Sequence, residues 1–263
     1  MTVSHPHPSW LIDLPTCPST STWALEQLDA LAHGACVWTT RQTAGRGQNG
    51  ATWYAPPGVL TASFVLEVPS SVPVTQLALC AGLAVAHAVE DLAPKTSIAP
   101  AAPVARVELK WPNDCLLGGR KLAGVLCERP TGGGGRAVVV GIGLNLDPHW
   151  EQTPAALPLA ADARLAPASM AELGPVPSMS EMLAALRRYL LEATGLLAAG
   201  GWRQLLPHLR ERDGLMGRTV TVRAAGVEVT GQAEGIDDDG RLLLATTEGR
   251  RSFVSAHVLR VGE

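Results

Sequence analysis

Val107-Glu-Leu-Lys-Trp-Pro-Asn-Asp114, continued by Cys115-Leu-Leu-Gly-Gly-Arg-Lys-Leu-Ala-Gly124, sets charged side chains inside an apolar run. Asn113 to Leu117 and Lys121 to Glu128 flank Gly118-Gly-Arg120, the pattern of two antiparallel strands joined by a glycine turn. Lysine and aspartate are almost never fully buried without a partner. Lys110, Asp114 and Lys121, close to Trp111, Leu122, Val125 and Leu126, therefore predict a site carried on rigid strands.

Upstream, Arg41-Gln-Thr-Ala-Gly-Arg-Gly-Gln-Asn-Gly50 combines three glycines with a basic residue, which suits a loop that folds its backbone around an anion. It follows a buried strand at Cys36 to Arg41 and precedes Trp53, so it reads as a loop that closes over an anionic ligand. Thr22 is placed to cap a helix carrying Trp23, Leu28 and Leu31. Val59 to Val68 predicts a central strand, and Val74 to Leu92, almost free of charge until Glu90, predicts a helix buried on most of its surface. The proline-rich stretch 93–105 reads as an irregular loop. Thr131-Gly-Gly-Gly-Gly135 reads as a hairpin turn, because no Lys-Ser/Thr follows to make a P-loop. Arg136 to Leu146 predicts a strand ending on a polar residue, Asn145. After an Ala/Pro-rich connector from His149 to Pro177, Ser180 is placed to cap a helix through Leu183, Leu186, Leu190 and Leu197.

Beyond Arg212-Asp-Gly214 the pattern changes to short strands: Thr219 to Arg223, Val227 to Ile236, Arg241 to Thr246, Arg251 to Ser255 and Val258 to Val261. They predict a small β-barrel, dividing the chain at 1–212 and 213–263.

The 263 residues carry a formal net charge of -3 and no basic stripe, which argues against general nucleic-acid binding. The five cysteines form no C-x-x-C and predict reduced, packed thiols; the seven histidines show no metal-ligand spacing. Neither a leader pattern nor a run of roughly 20 uncharged apolar residues occurs, so a soluble cytoplasmic protein without membrane partners is expected.

Gln42-x-Ala-Gly-Arg-Gly47, Lys110-Trp-Pro-Asn-Asp114, Arg120-Lys-Leu-Ala-Gly124 and Gly141-x-Gly-Leu-Asn145, in this order and spacing, resemble the biotin protein ligases from about Trp10 to Val261. The resemblance implies an α+β fold. Its catalytic domain would be related to class II aminoacyl-tRNA synthetases, a mixed sheet with helices, and an SH3-like β-barrel would follow. It implies joining of biotin to ATP as biotinyl-5'-adenylate, then transfer to a lysine of a biotin carboxyl carrier domain of a carboxylase. Mg²⁺ would accompany ATP. Lys121 would contact both the biotin carboxylate and the α-phosphate, and Arg46 would hold phosphate or carboxylate oxygens, with Asp114 a metal ligand or a lysine-orienting group. Ser19, Thr20 and Gln42 would bond the ureido ring, with Gly45, Gly47 and Gly124 where backbone approaches the ligand. Trp53, Lys110, Asn113 and Asn145 would face the adenylate, Asn145 at the adenine edge. Ser21 and Gln48 depart from the family, which often has Asn and Arg there. The related alternatives are a lipoate ligase or octanoyl transferase of the same fold, and a biotin-responsive regulator. The regulator would need a DNA-binding segment for which the chain before Trp10 leaves no room. The oligomeric state stays open, a homodimer included.

Overall fold

The computed structural model describes residues 8–94, 106–130, 135–150 and 167–262. The expected hairpin turn at 131–135 and the insert at 93–105 lie almost wholly outside them, as does the middle of the connector.

Seven strands form the first sheet: β1 (Leu11–Leu14), β2 (Cys36–Thr39), β3 (Val59–Glu67), β4 (Val107–Lys110), β5 (Asp114–Leu117), β6 (Arg120–Glu128) and β7 (Ala137–Asn145). Their order is β1-β2-β3-β7-β6-β5-β4. Only β1 and β2 run parallel; every other pair is antiparallel. β3 and β7 pair along their full length, from Val59 opposite Asn145 to Glu67 opposite Ala137. Both strands are buried nearly throughout, so each reads as a continuous apolar run.

The two faces of this sheet differ. Phe64, Val140 and Val125 point into the main core, under α2 (Val74–Leu92) and α3 (Met179–Ala198). α2 packs on β4, β5 and β6 and along α3 and α4 (Trp202–Glu211), while α3 reaches β3 beside it, which is why a helix apolar on nearly all sides is stable there. Val37, Val65 and Val139 point the other way, into a small cluster under α1 (Thr20–Glu26). That helix covers only part of its face, and the remainder forms the floor of a cleft.

The N-cap of α1 is Ser19, which accepts from Thr22 N–H, rather than the expected Thr22. α3 is capped by Ser178 with Glu181 in a capping box, two residues before the expected Ser180. β1 and α4 were not foreseen. α4 carries an internal Pro207 and starts after two glycines, features that usually interrupt a helix.

The second sheet is antiparallel: β8 (Thr219–Ala224), β9 (Val227–Ile236), β10 (Leu242–Thr246), β11 (Gly249–Phe253) and β12 (His257–Val261), in the order β11-β10-β9-β8-β12. The segment that leads into it is tied to the first by a backbone bridge between Leu109 and Asp213. Trp111 Nε1 also donates to Gly240 O at 3.1 Å. Gly240 has φ +83° and a Cβ there would lie 2.9 Å from the Trp202 ring, so backbone conformation and space both require glycine. The motif around Lys110 thus touches both sheets. All five cysteines are free and buried, and burial pushes the Cys115 and Cys127 thiols up to about 12.

Candidate active site

Ser63 on β3 faces Gly141 on β7, and Thr61 faces Gly143, all on the side of the sheet away from α2. The glycines make this side low. A Cβ on Gly141 would sit 2.5 Å from Ser21 Oγ, and one on Gly143 would sit 2.1 Å from Trp53 Cε2. Gly124 of β6 adds to the same platform, 3.2 Å from Trp53 Cζ3 on that measure. The indole of Trp53 therefore lies over two glycine positions, Gly124 and Gly143, and its Nε1–H is buried with no hydrogen-bond partner. A donor left this way at a cavity wall is suited to a ligand acceptor.

One wall of the cavity is hydroxylic. Thr20 Oγ1 and Ser21 Oγ lie 2.8 and 2.9 Å from Ser63 Oγ, and Thr20 N–H donates to Gln42 Oε1 at 2.9 Å. The opposite wall is ionic. Lys121 Nζ is 2.5 Å from Asp114 Oδ1, and Lys110 Nζ is 3.2 Å from Asp114 Oδ2. Burial alone would push the Asp114 carboxyl up, but the two ammonium groups outweigh it and hold the pKa below its ordinary value. Lys121 Nζ also stands 5.4 Å from the Trp53 ring centroid, where the ring face favours a cation.

The glycine loop closes the top. Trp53 N–H donates to Gly45 O at 3.0 Å and Gly47 N–H to Ala51 O at 2.7 Å, making a small hairpin. A Cβ at Gly45 would lie 2.2 Å from Trp53 O, so the hairpin closes only with glycine there. His257 of β12 reaches the cavity from the second sheet. The cleft has a volume of about 150 Å³.

Every residue expected at the site borders this cavity except Gly45 and Asn145. Gly45 lies behind Trp53. Asn145 is buried, and its Nδ2 donates to Ala168 O at 2.9 Å and Lys121 O at 3.3 Å, so it braces the backbone that carries Lys121. Arg46 forms a fork with Glu128, at 2.9 and 2.8 Å. Each Asp114 oxygen accepts from a lysine, and an ionised carboxylate oxygen has two lone pairs, so the geometry accommodates the lysine-orienting role and leaves one lone pair on each oxygen. Among the described residues no group of three or more His, Cys, Asp or Glu is placed to hold a metal ion. The sequence reading missed Ser63, Glu128 and His257; Ser63 alone had a signal, as a hydroxyl two positions from Thr61 in an otherwise apolar strand.

A lysine-bearing cavity closed by a glycine loop over a mixed sheet defines the class, and residues 14–145 match the Biotin/lipoate A/B protein ligase family. Residues 215–260 match the Biotin protein ligase C terminal domain. The chain belongs to the biotin protein ligase family. It is 33% identical over 242 residues to the biotin–[acetyl-CoA-carboxylase] ligase of Paracoccus denitrificans, covering 91% of this chain and 96% of that protein. To the enzyme of the same name from Mycobacterium tuberculosis it is 36% identical, over 85% of this chain and 77% of that one. The structure of Aquifex aeolicus biotin protein ligase in complex with biotin and ATP superposes with a TM-score of 0.76 at 25% identity, covering 94% of this chain and 97% of that chain. The fold is accordingly the α+β ligase fold with a C-terminal β-domain.

Proposed function

We propose that this enzyme activates biotin with ATP to biotinyl-5'-adenylate and transfers the biotinyl group to a lysine of a biotin carboxyl carrier domain. The observation that carries the reading is Lys121, whose ammonium is held between Asp114 and the face of Trp53 in the cavity that also holds the Ser19-Thr20-Gln42 wall. In the first step a biotin carboxylate oxygen bonds to the α-phosphorus as the bond to pyrophosphate breaks. Two anions must meet, and an ammonium contacting both offsets their repulsion. Lys121 takes that role, with Asp114 fixing its position. The hydroxylic wall takes the ureido ring, and the Trp53 indole takes the adenylate. In the second step the acceptor lysine's neutral amine attacks the acyl carbon, AMP leaves, and the amine loses its proton.

The test is biotin-dependent ATP–pyrophosphate exchange run beside lipoate and octanoate. Exchange with biotin alone supports this reading; exchange with lipoate moves the chain to the sister activity. Mg²⁺ would fit this scheme as a companion of the ATP phosphates, with Asp114 the oxygen ligand the site offers beside them. We propose further that the units divide at 1–212 and 213–263, in support of which the second sheet's first strand begins at Thr219. A cytoplasmic location belongs to the same proposal, and the oligomeric state stays as open as the sequence left it. The described residues include no helix long and apolar enough to cross a membrane.

Two substitutions probe the walls. Ser63→Ala removes the group that both Thr20 and Ser21 touch, at a cost of about 1–3 kcal/mol for polar groups left unpaired. The biotin KM should rise about tenfold at that cost, with kcat nearly unchanged. Equal loss in kcat would show that Ser63 serves the chemical step instead. Gln48 lines the cavity where the family often carries Arg, so Gln48→Arg adds an anion contact and should slow adenylate release. Release followed by gel filtration of enzyme loaded with labelled biotin checks this, and an unchanged rate counts against it.

A further inference from the structure

We infer that Glu128 is a positioning residue for the glycine loop, holding Arg46 where it can serve the adenylate. The inference rests on the ligase reading above. Arg46 Nη1 and Nη2 donate to Glu128 Oε1 and Oε2 at 2.9 and 2.8 Å, a bidentate fork between positions 82 residues apart in sequence. Glu128 ends β6, the strand that begins with Arg120 and Lys121, so its backbone is fixed by pairing with Val139. Arg46 sits in the hairpin that carries Trp53, bridged to Thr52.

The fork therefore couples a paired strand of the sheet to the glycine-loop side of the cavity. It uses the end of the guanidinium, leaving Nε–H and the outer hydrogens available to an anion. With Gln48 where the family often has Arg, Arg46 is the only cation between Gln42 and Trp53, and its placement sets how well the loop holds the intermediate. The side chains of the pair are 41% and 23% exposed, so the coupling is modest, on the order of a fivefold effect for a well-formed partly exposed pair.

Glu128→Gln keeps the shape and removes the charge. In the ligand-free protein, trypsin should cut after Arg46 about fivefold faster than in wild type. The variant should release biotinyl adenylate about fivefold faster, with pyrophosphate exchange at saturation within twofold of wild type. In an Arg46→Gln background the same substitution should change release no further, because a role that runs through Arg46 is lost with it. Faster release persisting in that background would overturn the inference in favour of a purely structural effect on β6. Slower release would overturn it differently, showing that Glu128 competes with the ligand for Arg46. Biotin-dependent exchange by the wild type, measured alongside, separates a failure of the ligase reading from a failure of this one, since the trypsin comparison needs no ligand.

Discussion

Lys121→Ala should lower biotin-dependent pyrophosphate exchange by about 10²- to 10³-fold, the loss seen when one preorganised electrostatic contact is removed from a reacting oxyanion. The fold should survive. Lys121 is 37% exposed at its side chain, and Asp114 would keep Lys110 as a partner at 3.2 Å, so no carboxylate is left bare. Circular dichroism and the thermal midpoint should therefore stay close to wild type while exchange collapses. Lys121→Arg should fail almost as badly: a planar fork is wider than an ammonium and cannot occupy the gap between Asp114 Oδ1 and the Trp53 face. Transfer from preformed biotinyl adenylate should fall much less than adenylation in both variants, because the second step no longer brings two anions together. Loss of both half-reactions to the same extent would mean that Lys121 holds the acyl group through both steps.

How far the site is legible in the sequence depends on how its residues depart from their neighbours. Lys110, Asp114 and Lys121 stand out because ionic side chains interrupt strands that are largely apolar, and such groups, once partly buried, need one another as partners. The glycines of β7 stand out as a motif, but their reason appears only once Trp53 and Ser21 are placed over them, since sequence spacing does not say what lies above a strand. Asn145, a lone polar residue closing an apolar strand, also stands out, but its bracing role does not: only the fold shows its Nδ2 donating to two backbone carbonyls. Glu128 was invisible for a different reason: its partner is 82 residues away, and only the fold brings the two together. Elements followed the same logic. α2 was found with its bounds Val74–Leu92 because proline stands on either side of a run almost free of charge until Glu90, whereas β1 is a four-residue edge strand whose pattern is too short to read.

Arg212→Ala should destabilise the protein by about 3–5 kcal/mol, the cost of stripping one partner from a buried ion pair. Arg212 is 8% exposed and forks onto Glu90 of α2 at 2.5 and 2.7 Å, while Nη1 also donates to Val107 O of β4. Glu90 in turn accepts from Val107 N–H at 2.9 Å, so one pair ties the end of α2 to the edge strand and to the entry of the second sheet. For a chain of this length the loss corresponds to roughly 10 °C in the thermal midpoint. The pH dependence gives the sharper test. Burial pushes the Glu90 carboxyl up, and Arg212 with the Val107 amide more than offsets this, leaving its pKa below the ordinary value. A lowered folded pKa contributes stability above the ordinary carboxylate range, near pH 4 to 5, and that contribution is lost as pH falls through the folded value. Without Arg212 the remaining burial would raise the Glu90 pKa, so in the variant acid relieves the penalty. The stability gap between wild type and Arg212→Ala should therefore be widest at pH 7 and narrow steadily towards pH 4 in urea titrations. Glu90→Leu combined with Arg212→Met should recover part of the loss at pH 7, because no charge is then left unpaired, while the carbonyl and amide of Val107 still lack their side-chain partners. A gap that holds constant with pH would place the loss in packing of the Arg212 stem rather than in the ion pair.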